Sequence, residues 1–370
     1  MANGIASLIV AVAAPFVGVV ADNAGRRKRF VLIFAALGIA MTGGLYLVAE
    51  GQWLVATICF VLASVGFASS NSLYDSLLVD VTTATDYDQV SALGYALGYI
   101  GGALLFAVSV VMVASPATFG LATQNDALRL AFILVALWWA IFSVPLLLWV
   151  EEPTTSTSAV TVAGSLRQLL LTIRKIAAQR QVAVFLIAYW LYIDGVYTII
   201  KMAVDYGMSQ GLTLQDLIQA ILITNVIGFP AALVFGWVGK VRGARTGLVI
   251  ALCVYIVATV AAVFITTEVE FYILAATIGL VQGGVQSLSR SLFAQLIPKG
   301  HSGEYFGFYN MVGKFSAIIG PVLAGYVALT FNSQRVGILS ILLLFIAGLI
   351  FLSRVSAPGA AADESVARHH

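Results

Sequence analysis

Gly18-Val-Val-Ala-Asp22-Asn-Ala-Gly25-Arg26-Arg27-Lys28 closes the first apolar run of this 370-residue chain. A degenerate copy, Gly236-Trp-Val-Gly-Lys240-Val-Arg-Gly243-Ala-Arg245, closes a run in the second half. At a shift of 218 residues Gly18, Gly25 and Arg27 fall on Gly236, Gly243 and Arg245, while Lys240 takes the place of Asp22. A second match has a shift of 215. There Asn71-Ser72-Leu73-Tyr74-Asp75-Ser76-Leu77-Leu78 falls on Gln286-Ser287-Leu288-Ser289-Arg290-Ser291-Leu292-Phe293, with four of eight positions identical. Two independent matches at nearly one spacing imply two homologous halves running in parallel.

The composition says what medium those halves occupy. Hydrophobic residues make up 61% of the chain and charged residues 10%, against about 45–50% and about 25% in soluble domains. Too few charges remain to keep two soluble domains wetted, so most of the chain belongs in lipid. A bilayer core takes roughly 20 apolar residues of helix. Breaking the chain at charge clusters and turn residues gives eleven such runs, at 3–21, 30–49, 53–79, 90–114, 128–150, 182–205, 215–239, 246–266, 270–296, 304–330 and 335–353. Their length and continuity predict helices rather than the short alternating strands of a barrel. The expected fold is an all-α polytopic membrane protein with two helical bundles. Residues 1–150 form a bundle of five spans, and 182–355 one of six. Residues 151–181 form a linker containing a basic amphipathic helix over Ser165–Gln181, and 356–370 a disordered tail.

Orientation follows from Lys and Arg in the loops. The side that begins with Arg26, Arg27, Lys28 and Arg29 collects fourteen basic residues, and the other only Arg129 and Arg335. This predicts a cytoplasmic C-terminus. The repeat also exposes an asymmetry. A full run, 182–205, precedes the copy of the loop in the second half. Its counterpart would fall at position −36, upstream of Met1. A plan of twelve helices is therefore expected to lack its first.

Gly18-x-x-x-Asp22-x-x-Gly25-Arg26-Arg27-Lys28 resembles the signature loop of the major facilitator superfamily, found between its second and third helices. Ser91-Ala-Leu-Gly-Tyr-Ala-Leu-Gly-Tyr-Ile-Gly-Gly102, Gly279-Leu-Val-Gln-Gly-Gly-Val-Gln-Ser-Leu-Ser-Arg-Ser-Leu-Phe293 and Phe306-Gly-Phe-Tyr-Asn-Met-Val-Gly-Lys-Phe315 are similar to the vacuole effluxer family, the autophagy-related amino-acid exporters and their bacterial relatives. The resemblance covers roughly residues 15 to 330. It implies a transporter, an amino-acid substrate and export, and it places in the missing first helix the family's Tyr-Asp-containing motif.

The loop has its own physical logic. Gly18 permits close helix contact and Gly25 a tight turn. Asp22 is placed to pair with Arg26 or Arg27, or to face a neighbouring helix N-terminus. Such a pair, formed in one state only, biases an alternating-access equilibrium. The simpler reading is that Arg26–Arg29 only set topology. Lys240 cannot make the same carboxylate pair, so gating at Lys240 and Arg245 is expected to differ. Asp75 and Arg290 carry opposite charges at equivalent repeat positions, which invites an ion pair between the halves.

Charges inside spans usually face a cavity or a partner. Asp194 sits near the middle of its span and is expected to contact substrate, a proton or a basic residue. Lys201 and Asp205, four apart, read as a pair snorkelling to the surface. Lys314 and Asn310 share a helix face, and Gln282, Gln286 and Arg290 recur every four residues as either a cavity lining or interhelical glue. A zwitterion needs a cation for its carboxylate and an anion for its ammonium. Lys314 and Asp194 would supply these, with Asn225, Gln282 and Tyr192 orienting the molecule.

No Gly-x-x-x-x-Gly-Lys-[Ser/Thr] loop is present, so energy would come from an ion gradient, protons included, or from the substrate's own gradient. No catalytic motif or metal-ligand spacing stands out, so neither an enzyme nor a cofactor is expected. A net charge of +2 gives no support to nucleic-acid binding. Two readings follow: a secondary active transporter of small metabolites in a bacterial inner membrane, or a non-transporting membrane scaffold or sensor that uses the 151–181 loop. The buried charges favour the transporter, since scaffolding does not require them.

Overall fold

The structure, a computed structural model, describes residues 2–151, 162–298 and 300–356. The chain is helical, running α1 (Ala2–Ala24), α2 (Arg27–Gly44), α3 (Trp53–Ser76), α4 (Leu78–Val81), α5 (Tyr87–Ala114), α6 (Gln124–Trp149), α7 (Val162–Ala178), α8 (Arg180–Ser209), α9 (Leu214–Arg242), α10 (Ala244–Ala262), α11 (Glu268–Leu296), α12 (Ser302–Thr330), α13 (Gln334–Leu339) and α14 (Leu342–Leu352). Among the described residues ten helices are long and apolar enough to cross a membrane. They coincide with the second to eleventh expected runs, and α1 occupies the first. Large apolar side chains such as Trp53, Leu148, Trp149 and Leu329 stand exposed along them. Such exposure suits a surface whose solvent is lipid.

The ends of the helices are written locally. Gly25 and Gly243 have φ of +58° and +86°. A side chain is strained there, and these two glycines turn α1 into α2 and α9 into α10. Thr123–Asp126, Thr213–Asp216 and Thr267–Glu270 form capping boxes at the starts of α6, α9 and α11. Each satisfies N–H groups that the first turn leaves bare, at about 1 kcal/mol.

The linker helix differs from expectation in register. It runs over Val162–Ala178 instead of Ser165–Gln181 and is followed at once by α8. Gln179, at φ −85° and ψ 87°, makes the break. No Gly or Pro marks that break in the sequence. The expected disordered tail lies outside the described residues, apart from Ser356.

The helices gather into two compact units. The first comprises Met1–Val81, Gly102–Ile173 and Pro298–Lys314, and the second Thr82–Gly101, Arg174–Ile297 and Phe315–His370. Neither unit is a continuous half of the chain. The first takes the start of α12 from the second half, and the second takes the start of α5 from the first half. These two borrowed segments are repeat equivalents, since a shift of 216 carries Thr82 onto Pro298. In the first unit Ala21, Val31, Leu73 and Leu77 form a buried cluster. In the second, Tyr255 stacks on Phe345 and Phe185 on Phe293.

Candidate functional site

Asp22 ends α1 and is buried. Its Oδ1 accepts the backbone N–H of Gly303 at 3.1 Å, and its Oδ2 accepts that of Glu304 at 2.8 Å. Both N–H groups belong to the first turn of α12, which has no intrahelical acceptors for them and carries the positive end of the helix dipole. Arg27, also buried, joins the same point. Its Nε lies 3.2 Å from Asp22 Oδ1 and its Nη1 2.8 Å from Asp80 Oδ2, and Nη1 donates to Ser302 Oγ. Arg26 is exposed, so of the two pairings open in the sequence it is Arg27 that forms, together with the helix N-terminus. Gly18 makes room for this contact. A Cβ there would collide with the Gly303 carbonyl, and one on Gly307 would come within 2.7 Å of Pro15 Cα. Further along, Ser72 Oγ donates to Phe306 O at 3.5 Å, and Asn310 Nδ2 donates to Asp75 Oδ2 at 3.3 Å and to Phe306 O at 3.1 Å. First-half helices are thus tied to the start of a second-half helix.

The second unit holds the reciprocal arrangement. Lys240, the repeat equivalent of Asp22, lies 3.0 Å from Asp86 Oδ1 and donates to Gln89 Oε1 at 2.9 Å. The missing carboxylate pair is therefore replaced by one of reversed polarity, with its acid supplied by the loop before α5. Gly236 packs against Ala92 as Gly18 packs against Gly303. Ser91 Oγ donates to Ser287 O at 2.7 Å, the counterpart of Ser72 with Phe306. Arg290 donates from Nε to Ser91 Oγ and from Nη2 to Ser91 O, both at 2.9 Å, and its guanidinium lies 4.8 Å over the Tyr95 ring. Ser291 and Gln295 both donate to Asp88 Oδ1. Arg245 plays no part in this cluster, as its Nη2 donates to Ser353 O at 2.6 Å.

The other expected site residues divide between the units. Asp194 is buried in the second, and both of its carboxylate oxygens accept the N–H of Gly320, at 3.0 and 2.9 Å. Gly320 precedes Pro321 within α12, where proline disturbs the helical ladder. Lys201 and Asp205 are exposed. Asn225 and Gln282, with Thr224, Thr259 and Tyr206, are the polar residues lining an otherwise apolar cavity of about 170 Å³ between α8, α9, α10, α11 and α13. Gln286 is not among its lining residues. It accepts the Tyr99 hydroxyl at 2.9 Å, so the glutamine stripe serves both as lining and as glue. Tyr192 is fully buried with its hydroxyl 2.7 Å from Ser289 Oγ, and it packs α8 against α11. Lys314 is half-buried on α12 in the first unit, one turn beyond Asn310.

Several participants escaped the sequence reading: Asp80, Asp86, Asp88, Ser91, Tyr95, Ser302 and Glu304. The repeat held a usable signal for some of them. Asp75 and Arg290 are equivalents, and a shift of 215 carries their neighbours Asn310 and Tyr95 onto each other.

A model of the family described as "Vacuole effluxer Atg22 like" matches residues 1–86 and 79–365. An uncharacterized MFS-type transporter, YxiO, of Bacillus subtilis (strain 168) is 34% identical over 354 residues, 95% of this chain and 82% of that relative. Autophagy-related protein 22 of Yarrowia lipolytica (strain CLIB 122 / E 150) is 28% identical over 275 residues, 65% of this chain; the match covers 45% of the fungal protein. Among solved structures, the human organic anion transporter MFSD10 (TETRAN) superposes with a TM-score of 0.72 at 14% identity, over 95% of this chain and 82% of that one. The proton:xylose symporter XylE gives 0.74 at 12% identity, over 95% and 85%. At such identities the structures speak for the fold alone. With a family model over nearly the whole chain, a bacterial relative at 34% identity and this fold, the chain is a membrane transporter of the major facilitator superfamily and belongs to the vacuole effluxer Atg22-like family.

Proposed function

We propose that this protein is a secondary active transporter that exports small zwitterionic metabolites, amino acids foremost, by alternating access, with protons as the coupling ion. The observation that carries the reading is the reciprocal exchange of helix starts. Each half of the repeat sends the first turns of one helix into a polar cluster of the other half, held by Asp22 and Arg27 in one and by Lys240 and Arg290 in the other. Contacts of this kind form in one state and break in the other, and so set the balance between them. The charge bias of the loops supports a cytoplasmic position for both clusters and for the C-terminus. The Bacillus relative supports a bacterial inner membrane.

Lys314 and Asp194 remain the proposed contacts for carboxylate and for ammonium or proton, with Asn310, Asn225 and Gln282 as orienting groups. The Asp194 carboxylate accepts the Gly320 N–H of a proline-interrupted helix, a contact that movement of α12 would release. Tyr192 and Gln286 are occupied by Ser289 and Tyr99 in this conformation and serve the packing there. The export direction rests on the effluxer family description.

Uptake of labelled amino acids into proteoliposomes, with and without a pH gradient, tests the reading. Saturable uptake that an imposed gradient accelerates is expected. Saturable uptake indifferent to the gradient would remove proton coupling, and no uptake of any amino acid would remove the substrate class.

A further inference from the structure

The linker helix α7 meets the first cluster through Gln168. Asn23 Nδ2 donates to Gln168 Oε1 at 2.8 Å, and Gln168 Nε2 donates to Glu304 Oε2 at 3.0 Å. Asn23 follows Asp22 on α1, and Glu304 lies in the first turn of α12. One amide therefore bridges the same two helices that Asp22 joins. Glu304 is fully buried, with His301 Nδ1 3.5 Å from its other carboxylate oxygen. Thr172, one turn beyond Gln168, is buried and donates to Gln168 O at 3.0 Å, and Ile176 is buried one turn further.

The outer side of α7 has a different character. Leu170 and Ile173 are 58% and 46% exposed, and Ala177 continues their stripe. Arg174 and Lys175 stand exposed beside it. An apolar stripe flanked by basic side chains suits a helix lying in a membrane surface, with the apolar groups at the acyl boundary and the cations among anionic headgroups. α7 leads directly into a membrane-crossing helix, α8, so that surface is within its reach.

We propose that α7 is a lipid-responsive strut. Its outer face binds the surface of an anionic bilayer, and Gln168 passes that binding to the contact between α1 and α12, favouring the conformation in which they are joined. The basic flank selects an anionic lipid surface over an apolar protein partner, which would need no cations. The proposal rests on the alternating-access reading only for its consequence in transport, so its test uses conformational readouts instead.

The full chain, with Cys59 and Cys253 replaced by Ala, is placed in nanodiscs of phosphatidylcholine alone or of phosphatidylcholine mixed with phosphatidylglycerol. An environment-sensitive fluorophore on Ala177→Cys reports burial of the outer face. In a second variant, the maleimide-labelling rate of Ser72→Cys, buried behind Phe306, reports opening of the contact. Phosphatidylglycerol is expected to shift the fluorophore emission to the blue, and Arg174→Gln with Lys175→Gln to abolish the shift. It is also expected to slow Ser72→Cys labelling about fivefold, the effect of one surface-bound basic residue. Gln168→Ala should remove that slowing while leaving the blue shift. An emission indifferent to lipid charge would overturn the proposal and point to a protein on this face. Slowing that survives Gln168→Ala would overturn the strut.

Discussion

Asp22 Oδ2 accepts the backbone N–H of Glu304 at 2.8 Å, so a carboxylate of the first repeat caps the first turn of a helix in the second. Arg27 lies against the same carboxylate at 3.2 Å. In its ionised form, which Arg27 favours against the opposing effect of burial, the cap is charge-assisted, and such hydrogen bonds are roughly twice as strong as neutral ones. Removing the charge while keeping an acceptor should loosen it without unfolding the chain, because Arg27 retains Asp80. Asp22→Asn is expected to raise Ser72→Cys labelling about tenfold, the equivalent of about 1.4 kcal/mol lost from a charged hydrogen bond. Asp22→Ala should raise it further.

The two copies of the loop should differ in weight. Arg27 is buried with Asp22, whereas Lys240 and Asp86 are each nearly half exposed. Arg27→Gln leaves the buried Asp22 carboxylate without its cation, which costs about 3–5 kcal/mol. Lys240→Gln should cost under about 1 kcal/mol. Thermal melting of the two variants in one detergent should rank them in that order. Equal shifts would contradict the assigned burial.

Asp194 has a structural duty separable from any coupling duty. Asp194→Ala strands the Gly320 N–H in a buried place, at about 1–3 kcal/mol, whereas Asp194→Asn keeps an acceptor for it. The asparagine variant should melt close to the parent and lose acceleration by a pH gradient. If it keeps that acceleration, Asp194 does not carry the proton.

Asp75 and Arg290 are repeat equivalents of opposite charge. If they pair during the cycle, Asp75→Arg combined with Arg290→Asp should recover transport that either single change abolishes. Arg290 also holds Ser91 and lies over Tyr95, so the recovery is expected to be partial. No recovery would indicate that Arg290 acts through Ser91 and Tyr95 alone.

The fold was legible because its determinants are local and periodic. Apolar runs located the spans, and Gly25 and Gly243 marked the turns. The break at Gln179 was not legible, since no residue there forbids a helix. The candidate site was legible only in part. Asp22 announced itself by its spacing to Gly18 and Gly25, but its acceptors' partners are backbone N–H groups of Gly303 and Glu304, which no side-chain pattern reveals. Tyr192 looked like a cavity residue because a tyrosine close to a mid-span aspartate is ambiguous. Only packing shows that its hydroxyl meets Ser289. The polarity reversal at Lys240 was visible as a departure from the first copy, yet its partner Asp86 lies 154 residues away in the chain.

Whether the exchanged helix starts act as a gate can be measured by bridging them. Gln89 and Lys240 face each other across the second cluster at 2.9 Å. Both are changed to Cys in the chain lacking Cys59 and Cys253, and joined in proteoliposomes by a short bis-methanethiosulfonate reagent, which forms a disulfide with each cysteine. The bridged protein is predicted to stop transporting and to resume once a reductant cleaves the bridge. Undiminished transport with the bridge intact would contradict the account.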